Sequence, residues 1–166
     1  LYLNNGGFKF EDISKKAGIE GGPEWTTGAT VADVNGDGWD DIYVGCFLLE
    51  NAELRRNKLY INNKDNTFSE RAKDFGLSDT TYNISATFFD YDLDGDLDMF
   101  QVNQPPNIIL RRLTSKLWES GHSCKLFRND NFYFTDVTKE AGLFTLGFAL
   151  SAVTGDINND GYMDLY

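Results

Sequence analysis

Three sets of four oxygen-bearing side chains carry the chemistry legible in this sequence. In residues 90–98 the set is Asp90, Asp92, Asp94 and Asp98, at positions 1, 3, 5 and 9 of a nine-residue run, with Gly95 at position 6. Residues 33–41 repeat it with Asp33, Asn35, Asp37 and Asp41 around Gly38. Residues 156–164 repeat it again with Asp156, Asn158, Asp160 and Asp164 around Gly161. Oxygens on alternate residues of a short loop wrap one hard cation, and calcium takes several such ligands at once. Glycine at position 6 permits a turn that most residues resist. Position 7, occupied by Trp39, Asp96 or Tyr162, is expected to offer its backbone carbonyl, which leaves its side chain free to vary. The bland alternative is an Asp/Gly turn without metal, since Asp, Asn and Gly are ordinary turn formers. A plain turn has no need of repelling carboxylates in strict alternation. The expected cofactor is therefore Ca²⁺, one ion per loop.

The spacing is shared with the EF-hand, which also needs a bidentate Glu at position 12 and flanking helices. Here position 12 is Val44 in the first loop and Gln101 in the second. The flanks are short β-branched and aromatic runs, such as Thr87-Phe88-Phe89 before the second loop and Met99-Phe100 after it. Such runs predict strands. Each loop therefore joins two strands in a hairpin, and the mostly apolar runs fit strands covered on both faces.

The repeat is wider than the loop. Leu1-Tyr2-Leu3-Asn4-Asn5 returns as Leu59-Tyr60-Ile61-Asn62-Asn63 and as Leu126-Phe127-Arg128-Asn129-Asp130. After each an aromatic strand is expected, at Phe8-Lys9-Phe10, Thr67-Phe68-Ser69 and Phe132-Tyr133-Phe134-Thr135, and then a small turn ending in Gly18, Gly76 or Gly142. The loops open at Asp33, Asp90 and Asp156, 57 and 66 residues apart. One period holds four strands, the sequence sign of a β-propeller blade. The expected fold is all-β, with four-stranded antiparallel blades in a partial set of about three. It divides as a half blade (1–26), two blades (27–84 and 85–146) and another half blade (147–166). Ala29, Ala86 and Ala152 precede the loops where blades converge on a channel and small residues fit. A β-sandwich is the competing reading, but it gives no reason for metal loops at a blade-like period.

These residues resemble the FG-GAP/VCBS repeat, in which an Asp-x-Asn/Asp-x-Asp-Gly-x-x-Asp loop between strands is followed by Leu-Tyr-x-Asn-Asn. The resemblance covers essentially the whole chain. It is closest to large surface proteins of the Bacteroidota type, which often carry an ASPIC/UnbV domain not seen here. It implies a calcium-binding propeller like that of integrin α-chains, in an exported, outer-membrane-associated protein of the bacterial cell surface, with a protein or glycan as partner. A binding, adhesion or scaffold role follows. Because some polysaccharide lyases use calcium propellers, a lyase-like enzyme is the alternative.

The sequence begins without Met and inside a blade, so a fragment of a longer chain is expected. Net charge is −11, from 26 acidic and 15 basic residues, and the three loops hold twelve of the acids. Nucleic acid is an unsuitable partner for a chain with no basic footprint. No membrane-spanning run is present in the sequence. Catalysis has little support: the single histidine is His122, and no nucleophile motif surrounds any Ser or Cys. Cys46 and Cys124 belong to neighbouring blades, and a disulfide between them is limited by the distance it must span. Two connections interrupt the repeat, at residues 47–57 and 103–124. The second, with Pro105, Arg111, Arg112, Lys116, Trp118 and His122, is a candidate for binding or for packing against a neighbouring blade.

Overall fold

A computed structural model describes residues 1–47, 50–105, 123–143 and 149–166. Its regular structure is almost entirely antiparallel strand, in four sheets taken in chain order. The first pairs β1 (Tyr2–Asn4) with β2 (Phe10–Asp12), followed by a single helical turn, α1 (Ser14–Ala17). The second is a four-stranded meander of β3 (Thr26–Ala32), β4 (Asp41–Cys46), β5 (Lys58–Asn62) and β6 (Phe68–Glu70). The third repeats it with β7 (Asn83–Phe89), β8 (Asp98–Asn103), β9 (Lys125–Asp130) and β10 (Tyr133–Asp136). The last pairs β11 (Thr154–Gly155) with β12 (Asp164–Leu165). A short 3₁₀ turn (Ala52–Arg55) lies between β4 and β5. These are blade-like units, and the described residues do not close them into a ring.

Each acidic run joins the first two strands of a sheet. The register fixes its mouth: Ala32 pairs with Asp41, Phe89 with Asp98, and Gly155 with Asp164. All six residues of β8 are buried, as expected of a strand covered on both faces, whereas four of the seven residues of β3 are exposed. One apolar cluster joins the two four-stranded sheets, with Tyr43, Leu59 and Ile61 from one and Ala86, Met99, Phe127 and Phe134 from the other. Phe88 meets both Tyr43 and Phe134 edge-on, at 6.0 and 6.3 Å between ring centres, a favourable aromatic geometry. A second cluster runs from Phe100, Val102 and Leu126 to Met163 of the third acidic run and Leu165 of β12. The core therefore lies between successive sheets.

Small residues sit where the first strands of adjacent sheets meet. The Thr27 hydroxyl donates to the Asn83 carbonyl at 2.8 Å, and that of Thr30 to the Ala86 carbonyl at 2.7 Å. These cross-sheet bonds hold β3 against β7.

Three strand starts differ from expectation. β6 begins at Phe68 rather than Thr67. β2 begins at Phe10 because Phe8, fully exposed, takes φ 60° in the preceding turn. β10 begins at Tyr133 because Asn131 and Phe132 both have positive φ, 54° and 67°, and make a two-residue hairpin turn. Cys46 is the last residue of β4. Both Cys46 and Cys124 are buried free thiols.

Candidate metal centres

The three acidic loops share one backbone trace. Position 4 (Gly36, Leu93, Asn159) has φ of 65°, 64° and 58°, and position 6 (Gly38, Gly95, Gly161) has φ of 85°, 97° and 90°. Glycine at position 6 was legible from sequence. The left-handed residue at position 4 was not, because three different residue types occupy it.

Backbone amides then hold the carboxylates in place. In each loop the position-1 Asp accepts from the position-6 N–H: Asp33 from Gly38 at 2.7 Å, Asp90 from Gly95 at 3.1 Å, Asp156 from Gly161 at 2.9 Å. The position-5 Asp accepts from the position-7 N–H of Trp39, Asp96 or Tyr162 at 2.9–3.1 Å. The position-9 Asp accepts from the position-2 N–H of Val34, Tyr91 or Ile157 at 2.9–3.2 Å. Asp41 and Asp98 accept a second amide from the third strand, from Asn62 and Asn129, both at 2.8 Å. Each of these two carboxylates thus ties its loop to a strand that follows much later in the chain.

The second loop gathers its acids most tightly. Carboxylate oxygens of Asp90, Asp92 and Asp98 all lie within 4.8 Å of one another. Asp90 Oδ1 and Asp96 Oδ1 are buried and have no hydrogen-bond partner. Burial, together with the charges of Asp94, Asp92, Asp130 and Asp90, pushes the Asp96 carboxyl up to about 6. Burial also pushes Asp98 up to about 6, against the two amides that favour its charged form and with Asp92 and Asp96 adding to the rise. Buried anionic oxygens without partners are costly, and crowded like charges disfavour ionisation. A hard cation answers both, so the donor set fits calcium.

The other loops are less convergent. In the first, Asp37 accepts from Trp39 and reaches Lys64 Nζ at 3.3 Å. Asp41 is buried, and burial raises its carboxyl despite the amides of Asn62 and Val34. In the third, Asn158 Nδ2 donates to Asp160 Oδ2 at 2.8 Å. The Tyr162 amide, followed by that bond from Asn158, lowers the Asp160 carboxyl. Residues 33, 35, 37 and 41, and 156, 158, 160 and 164, thus stand in matching loops without the tight carboxylate cluster of the second.

Sequence reasoning missed the part played by Asn62 and Asn129. Besides their backbone bonds, Asn62 Nδ2 donates to the Asp40 carbonyl at 3.0 Å and Asn129 Nδ2 to the Leu97 carbonyl at 3.2 Å. Both carbonyls belong to loop position 8. The recurrence of this Asn in the Leu-x-x-Asn segment was the available signal. Of the 103–124 connection, residues 106–122, with Arg111, Arg112, Lys116, Trp118 and His122, lie outside the described residues.

Four-stranded meanders whose first hairpins close on acidic loops define a repeat protein of blade-like units. The FG-GAP-like repeat matches residues 1–44 and 47–100, more than half of the chain, and the chain belongs to that family. No curated protein matches it. Repeats of this family are generally non-enzymatic binding modules, typical of extracellular or surface proteins. Among the described residues no helix is long and apolar enough to cross a membrane.

Proposed function

We propose that this chain is part of a calcium-stabilised β-propeller that serves as an extracellular binding, adhesion or scaffold module of a bacterial surface protein. The observation that carries the calcium reading is the second loop, where three carboxylates converge and two buried oxygens lack partners. Ca²⁺ would be held there by Asp90, Asp92, Asp94 and Asp98 with the position-7 carbonyl of Asp96. The matching sets are Asp33, Asn35, Asp37, Trp39 and Asp41, and Asp156, Asn158, Asp160, Tyr162 and Asp164.

The ion supplies charge neutralisation and fixes the strand connection; no reaction step is assigned to it. Extracellular calcium modules bind at roughly 10⁻⁴–10⁻³ M, which suits open loops in a calcium-rich compartment. The family's usual role supports a protein or glycan partner rather than a chemical transformation. Equilibrium dialysis of the purified chain against millimolar calcium tests the reading. One ion retained per loop is expected. No retention above that of a chain lacking Asp90, Asp92 and Asp98 contradicts it.

A further inference from the structure

Asn129 lies on β9 and is fully buried. Its backbone N–H donates to Asp98 Oδ1 at 2.8 Å. Its side-chain amide makes two donations, to the Leu97 carbonyl at 3.2 Å and, more weakly, to the Val34 carbonyl at 3.4 Å. Leu97 and Asp98 are positions 8 and 9 of the second loop. Val34 is position 2 of the first loop, between its expected ligands Asp33 and Asn35.

From Val34 the connection continues. The Val34 N–H donates to Asp41 Oδ2 at 3.2 Å, and Asp41 Oδ1 accepts from the Asn62 N–H. One unbroken run of hydrogen bonds therefore joins position 9 of the first loop to position 9 of the second, across the gap between sheets. Asn62 Nδ2 donates to its own loop, at the Asp40 carbonyl, and its Oδ1 accepts from the Lys64 N–H. Asn129 Nδ2 donates to its own loop and also reaches into the neighbouring unit.

The arrangement has a cost. Asn129 Oδ1 is buried without a partner, a penalty that an apolar side chain of similar size avoids. Rotating the amide would set its oxygen against two carbonyls, so its donors are committed to both loops. A buried group kept in this state calls for an explanation beyond packing.

We propose that Asn129 is a positioning residue that couples the first two loops, so that filling one raises the cation affinity of the other. This rests on the calcium reading of the loops. An ion drawn in by Asp90, Asp92 and Asp98 fixes Asp98. Asp98 fixes the Asn129 backbone, and the Asn129 amide then holds Val34 where the first loop needs it. Coupling of this kind is reciprocal by thermodynamic necessity.

The test uses terbium, a luminescent substitute for calcium. Position 7 is Trp39 in the first loop but Asp96 and Tyr162 in the others. Luminescence excited through tryptophan, and abolished by Trp39→Phe, therefore reports the first loop alone. Asp94→Ala, which disables the second loop, is expected to weaken terbium binding at the first about fivefold, the low end of measured couplings. Asn129→Leu is expected to weaken it similarly, and Asp94→Ala added to Asn129→Leu to change nothing further. Unchanged first-loop affinity in Asp94→Ala, or additive losses in the double variant, overturns the coupling. If circular dichroism shows that Asn129→Leu does not fold, the comparison of Asp94→Ala with the native chain decides alone. Absence of any Trp39-dependent signal in the native chain overturns the calcium reading itself, and the coupling with it.

Discussion

A β-carbon placed on Gly28 would stand 2.6 Å from the carbonyl oxygen of Ile84. Backbone, not a flexible side chain, fills that space, so β3 and β7 approach each other as closely as a bare glycine allows. Gly28→Ala must push two sheets apart along the seam that Thr27 and Thr30 close. Overpacking of this kind costs about 1–3 kcal/mol. Urea unfolding of the variant is expected to show a lower midpoint with an unchanged slope. An unaltered midpoint would mean that the seam yields freely.

Leu93 occupies a left-handed position, φ 64°, and is half exposed. The third loop places Asn159 at the same point and the first places Gly36. The strain of a non-glycine residue in this conformation is about 1–2 kcal/mol. Leu93→Asn is expected to stabilise the chain by about 0.5–1 kcal/mol, since Asn tolerates this region better. Differential scanning calorimetry should show a higher Tm. A lower Tm would contradict the reading of the loop backbone.

Much of this architecture was legible in the residues. Alternating acids with glycine at position 6 marked the loops, and β-branched and aromatic flanks marked the hairpins that carry them. What stayed hidden depends on partners distant in sequence or on backbone that side-chain identity does not fix. Asp41 and Asp98 read as ligands, yet they also bind amides of Asn62 and Asn129, 21 and 31 residues further on. Phe8 and Phe132 read as strand residues by their β propensity. The turns that precede β2 and β10 instead require positive φ at those positions.

Asp79 gives the fold a dependence on acid. Its carboxylate is largely buried against Lys125, which stands 2.5 Å away, and Gln101 and Thr81 also donate to it. Burial alone would raise this carboxyl. The Lys125 charge, the Lys125 hydrogen bond and the Thr81 bonds outweigh it and hold the group below its usual value. A depressed folded-state value means that the unfolded chain binds the proton first as pH falls. The stabilisation is therefore complete above about pH 4, the ordinary carboxylate value, and is lost as pH drops through the lowered value. Asp79→Asn is expected to lose about 1–3 kcal/mol at neutral pH and to show a shallower decline on acidification. Parallel acid titrations of stability in the two chains would contradict this.

The second loop should hold its ion most tightly. It has four ligand carboxylates where the others have three, and carboxylate oxygens of Asp90, Asp92 and Asp98 lie within 4.8 Å of one another. In the first loop Asp37 is already engaged by Lys64. Calorimetric titration with calcium is expected to lose its tightest phase in Asp94→Ala and to keep that phase in Asp37→Ala. The reverse pattern would assign the tight site to the first loop.

The most direct measurement is the thermal unfolding of the chain in saturating calcium and in excess EGTA. A site kept at ten times its Kd adds about 1.4 kcal/mol, and three such sites more than about 4 kcal/mol, comparable with the margin of a small domain. The calcium-bound chain is expected to melt well above the chelated one, with the difference shrinking when Asp90, Asp92 and Asp98 are replaced by Ala. Superimposed melting curves in calcium and in EGTA would contradict the claim that these loops are metal sites.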